Sequence, residues 1–533
     1  MKLPSAFNSL LAVASAILLA LAFPNFDLWF LAWFALVPLF YAIEREKHSI
    51  VKSFILGWIF GTLFFAGSCW WLTYSFTHYG GIPTWLAYIL LLTIAGMVGI
   101  FPAIFAAAFS QIFKRFGIYG VLAAPFLWTM QEFLRATLAD TSWNAIGYSQ
   151  AFSVHLIQTA QIGGVYLVGF WIVAFNAVIW LNVQSVAHIF VAKNYAEQSP
   201  ETNRNIIYIS LLIALLITPL MFFPKFASSN DSENKVVNTV IVVQVNVPMS
   251  GLNEEKWLKL RQRHVELAEA ELRKNHERRA AGSGKTIVVF PESPMNFAYG
   301  EDAEFRTFIG DFARRNDVSV LFNSAEVNPD GDNYFNSAIM VNPQGAKIGQ
   351  YDKIHLVPFG EFAPVPSPIK PLIPTLVGSF QSGENYNLFP VGDAKAGTII
   401  CYESHFPSLS REFVKRGADV LIEMTNDGYL GDTGVLRQHL AGAIFRAVET
   451  NRPVLRATNV GITAYINERG EVSDAADVYT EATRVWTVSK SDGGQTIYVK
   501  YGDWFAWLCS MISIGLLIFS FWKRRNSTTN LHR

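Results

Sequence analysis

The stretch Gly397-Thr398-Ile399-Ile400-Cys401-Tyr402-Glu403 decides how the second half of the chain folds. Small and β-branched residues lead directly into a cysteine, and Ser404-His405-Phe406-Pro407 after it is typical of a helix start. This pattern predicts a strand that ends in a sharp turn, with Cys401 at the corner. A thiol near the positive end of a helix is favoured as the thiolate, so we expect a reactive cysteine. An inert cysteine buried in the core is the alternative.

The composition of the chain separates two kinds of sequence. Of the 533 residues, 51% are hydrophobic and only 16% are charged, which is a low charged fraction for a soluble protein. The apolar excess lies in the first 223 residues and again at 504–522, whereas 236–500 reads as a water-soluble domain. We predict a polytopic α-helical membrane domain of about eight transmembrane helices with one globular insert. The formal net charge of zero favours neither nucleic acid nor an acidic partner.

Runs of about 17–25 apolar residues are long enough to cross a bilayer as a helix. The spans predicted on this basis are 7–23, 28–43, 54–76, 85–113, 118–134, 164–183, 206–223 and 504–522. Lys and Arg cluster on one side of these spans, and the loops 24–27 and 77–83 on the other side carry none, which predicts cytoplasmic termini. The predicted domains are transmembrane helices 1–7 in 1–227, a linker at 228–235, an extracytoplasmic catalytic domain at 236–500 and a final helix with its tail at 501–533.

Two ionisable residues lie near the end of the fifth predicted span. Glu132 and Arg135 are three residues apart on a helix and therefore within reach of each other. A structural ion pair and a substrate contact are both open interpretations. A transporter or a receptor with a sensory outer domain is the non-enzymatic alternative for the whole chain, but transport predicts more buried charges than this pair.

The globular part alternates strands with helices and then continues as a run of strands, which is typical of a layered α/β sandwich. The predicted strands are 236–247, 286–290, 318–323, 334–341, 347–351, 418–424, 453–458, 462–466, 484–488 and 496–501, and the predicted helices are 252–279, 304–315 and 435–450. The apolar, proline-rich segment 363–380 has little periodicity, and long segments of this kind are usually functional. We predict a mobile arm that touches lipid, with a packed surface loop as the alternative.

Three residues with complementary chemistry follow predicted strands: Glu292, Lys353 and Cys401. Open α/β folds gather their reactive groups at strand ends on one edge of the sheet. A thiolate that attacks an acyl carbon needs its proton removed, and Glu292 is the candidate base. Lys353 and the backbone N–H of Tyr402 are candidates to stabilise the oxyanion, with Glu361 holding the lysine. The structural alternatives are a strand-end cap for Glu292, a surface charge for Lys353 and a solvated loop carboxylate for Glu361.

At these residues the chain resembles the nitrilase (carbon–nitrogen hydrolase) superfamily. The matching segments are Phe290-Pro291-Glu292, Asp352-Lys353 with Pro358-Phe359-Gly360-Glu361, and Cys401-Tyr402-Glu403. The resemblance covers about 236–500 and implies a Glu–Lys–Cys triad on an α-β-β-α sandwich. Over nearly the whole chain the sequence is similar to the apolipoprotein N-acyltransferase family, which places such a domain between membrane helices. That wider similarity includes Trp257, 353–361, 425–428, 456–459 and 461–463.

The family resemblance implies a role for individual residues. The catalytic residues are Glu292 as base, Lys353 as oxyanion partner and Cys401 as nucleophile, the supporting residues are Glu361, Tyr402 and Glu403, and the substrate contacts are Trp257, Asn426 and Tyr429. Tyr429 stands where we expect a tryptophan, and Val460 interrupts what is usually an Asn-Asn-Gly run. These departures concern substrate contacts and leave the triad intact.

The resemblance also implies a reaction and a place in the cell. A fatty acyl chain would pass from a membrane phospholipid, through a thioester on Cys401, to the α-amine of the diacylglyceryl-cysteine of an apolipoprotein. The enzyme would be a monomer in the bacterial inner membrane, with its catalytic domain on the periplasmic side. A membrane-tethered amidase that transfers its acyl group to water is the alternative. No motif for a metal, a nucleotide or another cofactor is present, and His355, His405 and His439 are interpreted as local hydrogen-bonding or packing residues.

Overall fold

The computed structural model describes most of the chain. The described residues are 3–24, 26–191, 236–275, 284–292, 297–329, 331, 333–362 and 380–529. They form two compact units, one made of 3–73, 82–191 and 503–529 and the other of Tyr74–Gly81 and 236–502. The predicted span at 206–223, the linker at 228–235 and the arm at 363–380, except Phe380, lie outside the described residues.

The first unit is helical. Its α-helices are Ala6–Leu21, Val37–Arg45, Ile50–Ser68, Thr84–Val98, Ile100–Phe116, Ala124–Leu138, Ala160–Val191 and Trp504–Thr529, and its 3₁₀ helices are Trp29–Trp33, Gly117–Ala123, Ile146–Gln150 and Val154–Leu156. In the described part of the chain, the stretches long and apolar enough to cross a membrane are Ile50–Ser68, Thr84–Leu138, Ala160–Gln184 and Trp504–Trp522. The predicted membrane character is confirmed, and the number of about eight spans stays a prediction.

Two predicted spans are broken in the structure. Residues 28–43 form the short 3₁₀ helix and the start of Val37–Arg45, which has only nine residues. The predicted span 85–113 is two helices that meet at Gly99, and Pro102 in the next turn cannot donate a helical hydrogen bond. A Cβ on Gly99 would lie 2.9 Å from the backbone nitrogen of Thr62. Gly99 therefore permits close approach of the helices there, as small residues do in membrane bundles.

Glu132 and Arg135 bind the backbone of the loop that follows their helix. The Glu132 carboxylate accepts a hydrogen bond of 2.7 Å from the N–H of Ile146. The Arg135 guanidinium donates to the carbonyls of Trp143 at 2.8 Å and Thr141 at 3.2 Å. Both side chains are buried. These contacts favour a structural interpretation of the two residues, because they satisfy backbone groups of the loop 141–146 that are buried away from water.

The second unit contains two six-stranded sheets. Its strands are β1 Asn238–Gln244, β2 Thr286–Val289, β3 Ser319–Val327, β4 Tyr334–Val341, β5 Lys347–Asp352, β6 Leu388–Val391, β7 Ala394–Ile400, β8 Val420–Thr425, β9 Val454–Thr458, β10 Ala464–Ile466, β11 Val472–Ser473 and β12 Ala482–Val488. The first sheet has the order β12-β1-β2-β3-β4-β5 and the second β11-β10-β9-β8-β7-β6. The central pairs β1/β2/β3 and β7/β8/β9 are parallel, as expected for strands that are buried on both faces.

Helices cover the outer face of each sheet. Within the described part of 236–502 the α-helices are Glu254–Lys274, Ala303–Asn316, Pro407–Lys415, Val435–Thr450 and Ile497–Tyr501. The first two pack on the first sheet, where apolar side chains such as Val265, Phe305 and Val288 share one core. The next two pack on the second sheet, and the sheets contact each other through β1 and β9. The predicted α/β sandwich is confirmed, with polar residues following the ends of β2, β5, β7 and β8. Residues 496–501, predicted as a strand, instead form the α-helix Ile497–Tyr501 with its cap Thr496.

Candidate active site

The structure brings the three predicted catalytic residues together. The ammonium Nζ of Lys353 lies 3.8 Å from Glu292 Oε1 and 2.9 Å from Glu361 Oε2. The Cys401 thiol lies close enough to Glu292 and Lys353 for the charges of both to change its pKa. Lys353 is only 1% exposed. A carboxylate, an ammonium and a thiol therefore share one buried site, and these are the groups that covalent acyl transfer needs.

Cys401 sits at a strained turn. Its φ of 53° lies in the left-handed region, which is uncommon for a residue other than glycine and costs roughly 1–3 kcal/mol. The strand β7 ends at Ile400, and the 3₁₀ helix Cys401–His405 begins immediately afterwards. The predicted strand–turn corner is confirmed, and after the 3₁₀ turn the α-helix Pro407–Lys415 begins within the stretch 404–407 that predicted a helix start.

The buried carboxylate of Glu403 joins this turn to the one that carries Lys353. Its Oε2 accepts a hydrogen bond of 2.8 Å from the N–H of Ile400. Its Oε1 accepts one of 2.7 Å from the N–H of Ile354 and one of 2.7 Å from the hydroxyl of Tyr351. Because Ile354 follows Lys353, one side chain fixes the separation of the nucleophile and the cation.

Asn336 is a site residue that the sequence analysis missed. Its amide Nδ2 donates to Glu292 Oε1 at 2.9 Å and to Glu361 Oε1 at 2.7 Å, and Asn323 donates to its Oδ1 at 2.7 Å. Asn336 lies near the start of β4, and its backbone carbonyl accepts from the N–H of Lys353 at 2.8 Å. It therefore holds both carboxylates around the lysine. The sequence pattern that could have identified it is an asparagine among the apolar residues of a predicted strand, because a buried amide needs hydrogen-bond partners.

Comparison with known proteins agrees with this geometry. Residues 15–178 match the model of the apolipoprotein N-acyltransferase N-terminal domain, and residues 242–498 match that of the carbon–nitrogen hydrolases. An apolipoprotein N-acyltransferase of Geobacter metallireducens is 32% identical over 94% of this chain and 92% of its own length. The chain belongs to the apolipoprotein N-acyltransferase family.

More distant members of the family also align along most of their length. The apolipoprotein N-acyltransferase of Pasteurella multocida is 28% identical over 93% of this chain and 92% of its own. That of Thermotoga maritima is 27% identical over 95% of this chain and 92% of its own. As a family member with apolar helices of spanning length, the protein is a membrane-bound acyltransferase.

Burial favours the thiol form of Cys401, in contrast to the thiolate that the sequence predicts. Burial raises the pKa of Cys401 well above its ordinary value, the negative charge of Glu292 raises it further, and Lys353 only partly offsets both. The turn after Cys401 has one short 3₁₀ segment, and its positive end does not outweigh desolvation. An acyltransferase of this family therefore needs a base to take the proton when the substrate arrives.

Glu292 has the environment of such a base. Burial raises the pKa of its carboxyl above the ordinary range, and the charge of Lys353 lowers it again in part. For Lys353, burial by itself lowers the pKa of the ammonium, but the charges of Glu361 and Glu292 raise it by more, so the pKa rises overall and the lysine stays charged. A carboxylate with a raised pKa beside a permanent cation is suited to proton transfer near neutral pH.

The predicted substrate contacts lie in different surroundings. Asn426 reaches the site through its backbone, because its N–H donates to Glu292 Oε2 at 3.1 Å, while its side chain caps the following turn by accepting from Gly428. Tyr429 is 47% exposed, and its pKa is raised to about 12 by burial of the hydroxyl and by the charge of Glu292. Trp257 packs on Phe297 of the first-sheet core. The structure thus brings Asn426 and Tyr429 to the triad and gives Trp257 a packing role.

A segment from the first part of the chain contacts the turn at Tyr429. The Tyr79 hydroxyl donates to the carbonyl of Gly428 at 3.2 Å, and Ser75 Oγ donates to the carbonyl of Tyr429 at 2.8 Å. The rings of Tyr79 and Tyr429 meet edge to face with centroids 5.3 Å apart. Tyr74–Gly81 is thus part of the catalytic unit, although it is distant from that unit in sequence.

Proposed function

We propose that the protein moves a fatty acyl chain from a membrane phospholipid to the α-amine of the diacylglyceryl-cysteine of an apolipoprotein. The observation that carries the proposal is the buried grouping of Cys401, Glu292 and Lys353 in a chain that also holds apolar helices of spanning length. Family membership supports the choice of substrates, because the relatives are named for acylation of apolipoproteins.

The first step forms a thioester. As Cys401 Sγ attacks the carbonyl carbon of the phospholipid ester, Glu292 takes the thiol proton, and a C–S bond replaces the ester π bond. The oxyanion faces the Lys353 ammonium and the backbone N–H of Tyr402. The intermediate then expels the alkoxide oxygen of the lysophospholipid, which receives the proton that Glu292 holds. Glu361, Glu403 and Asn336 keep these groups in position.

The second step discharges the thioester to the lipoprotein. The α-amine attacks the thioester carbon while Glu292, again a carboxylate, accepts a proton from the nitrogen. The same donors stabilise the second tetrahedral oxyanion, the C–S bond breaks, and the Cys401 sulfur recovers its proton. An amide replaces the thioester, which is downhill because a thioester is a more reactive acyl donor than an amide.

Both substrates of this reaction are lipids, so anchoring the enzyme in the same bilayer concentrates them. The distribution of Lys and Arg along the chain supports the cytoplasmic membrane of a bacterium, with residues 236–500 on the periplasmic side. One chain contains the whole triad, and the enzyme is proposed to act as a monomer.

A test uses the purified protein in vesicles of phospholipid with a labelled acyl chain, with and without a diacylated lipopeptide. Cys401→Ser should form no labelled thioester and no N-acylated peptide. Cys509→Ser, which changes a buried cysteine of the last helix, should retain both. Mass spectrometry of the discharged acyl group distinguishes an amide from a free fatty acid. N-acylation by the Cys401→Ser protein, or discharge to water in the presence of the lipopeptide, would refute the proposal.

A further inference from the structure

Four buried ionisable side chains form a closed group behind the nucleophile turn. Arg456 Nη1 lies 3.0 Å from Glu423 Oε1, and Arg456 Nη2 lies 2.8 Å from Asp427 Oδ2. His439 Nδ1 lies 2.6 Å from Asp427 Oδ1, and His439 Nε2 lies 3.3 Å from Glu423 Oε1. All four are at most 1% exposed. The reaction steps above use none of them, although the group is costly to bury unless its charges balance.

The histidine of this group also contacts the nucleophile. His439 Nε2 lies 3.0 Å from the carbonyl oxygen of Cys401. Its two ring nitrogens thus face a carboxylate and a carbonyl, so the tautomer that binds the carbonyl carries its hydrogen on Nε2. Burial raises the pKa of Asp427, but its neighbours His439 and Arg456 lower that pKa by more.

The contacted carbonyl belongs to the same peptide unit as the Tyr402 N–H. A hydrogen-bond donor at the oxygen of a peptide polarises the whole unit, so the N–H at its other end becomes a stronger donor. The same hydrogen bond resists rotation of the peptide plane after Cys401, whose φ of 53° is unfavourable by itself. A side chain at this carbonyl can therefore orient and strengthen the donor that faces the oxyanion.

We propose that His439 is a positioning residue of acyl transfer, donating from Nε2 to the Cys401 carbonyl so that the Tyr402 N–H is aimed at the oxyanion and polarised toward it. The proposal rests on the proposed function, since it assumes that Cys401 carries the acyl group. Asp427, Glu423 and Arg456 act one step further away, by holding the imidazole ring in place.

Two substitutions separate the parts of this role. In His439→Asn the amide nitrogen takes the place of Nδ1, so it keeps the partner Asp427 and loses the Cys401 carbonyl. In His439→Gln the amide nitrogen reaches the place of Nε2, so it restores a neutral donor to that carbonyl. His264→Asn is the matched control, because His264 is a buried helical histidine that contacts Leu260, Phe290 and Phe297.

The experiment measures thioester formation and the infrared carbonyl stretch of the thioester, using phospholipid vesicles whose acyl chain carries ¹³C at its carbonyl. Removing one oxyanion donor outright slows an enzyme by about 10²–10³-fold. We expect His439→Asn, which weakens such a donor, to slow thioester formation by about 10- to 100-fold. The KM for phospholipid should stay unchanged and the stretch should move to higher wavenumber. The rate and the carbonyl stretch of His439→Gln should lie between those of His439→Asn and wild type. His264→Asn should leave the stretch at the wild-type position.

The stretch is measured only on molecules that carry the thioester, so loss of folded protein cannot imitate the expected shift. A wild-type stretch in His439→Asn would overturn the inference, whether or not the rate falls, because a purely structural role would leave the acyl carbonyl unaffected. If the wild-type enzyme forms no thioester at all, the proposed function fails and this inference fails with it.

Discussion

Replacing Asn336 by leucine tests how the base of the triad is tuned. Leucine keeps the volume of the side chain but removes the donor to Glu292 Oε1 and Glu361 Oε1. A hydrogen bond to a charged group contributes about 1.5–3 kcal/mol, and one pKa unit corresponds to about 1.36 kcal/mol. Since the bond from Asn336 lowers the pKa of Glu292, its loss should raise that pKa by roughly one to two units.

The assay is the pH dependence of thioester formation in a single turnover. The acidic limb of the profile should move upward by the same roughly one to two units, so the rate at a fixed pH on that limb should fall by about 10- to 100-fold. Asn328→Leu is the control, because this buried asparagine donates to the neutral Gln381. An Asn336→Leu profile whose acidic limb coincides with wild type would refute the idea that Asn336 sets the basicity of Glu292.

Two further changes test the groups that surround the triad. Burial raises the pKa of Glu403 to about 7, above its unfolded value, so the stability contributed by its bound proton should be lost as pH rises toward about 7. Glu403→Gln should abolish this pH dependence and lower the free energy of unfolding by about 1–3 kcal/mol, because the amide must face backbone N–H donors. Urea unfolding at several pH values measures both quantities. A pH dependence that persists in the variant would contradict the prediction. Gly461→Ala would place a Cβ 2.1 Å from Asp427 Oδ2 and should lower the free energy of unfolding by about 1–3 kcal/mol. Gly515→Ala has open space around it and should leave the unfolding midpoint unchanged. Equal midpoints for the two variants would disprove the crowding at Asp427.

The strand ends that carry the triad were predictable because the signal is local. At β7 a run of small and β-branched residues stops at Cys401, and at β5 a strand stops before Lys353, so both positions fall at strand ends on one edge of a sheet. Asn336 lies inside β4, where its neighbours predict only a strand. Its partners Glu292 and Glu361 are distant in sequence, so only the folded chain brings them into contact.

The wrong expectations share a cause. The thiolate at Cys401 was predicted from the helix that follows it, whereas burial and the Glu292 charge, which are tertiary effects, raise its pKa. The span at 28–43 was predicted from apolar length, but hydropathy does not register the 3₁₀ helix Trp29–Trp33 that interrupts it. Local pattern therefore located the reactive residues, while their ionisation and the continuity of helices depended on neighbours far along the chain.

The contact between Tyr79 and the turn at Gly428 and Tyr429 restricts how this gene can be divided. A fragment that encodes 236–502 by itself would omit Tyr74–Gly81 and leave the Tyr429 turn without two of its hydrogen bonds. Chimeras that take their first 225 residues from a relative would need compatible side chains at 75 and 79. Libraries that vary the residues around Tyr429 should therefore vary this short upstream segment together with them.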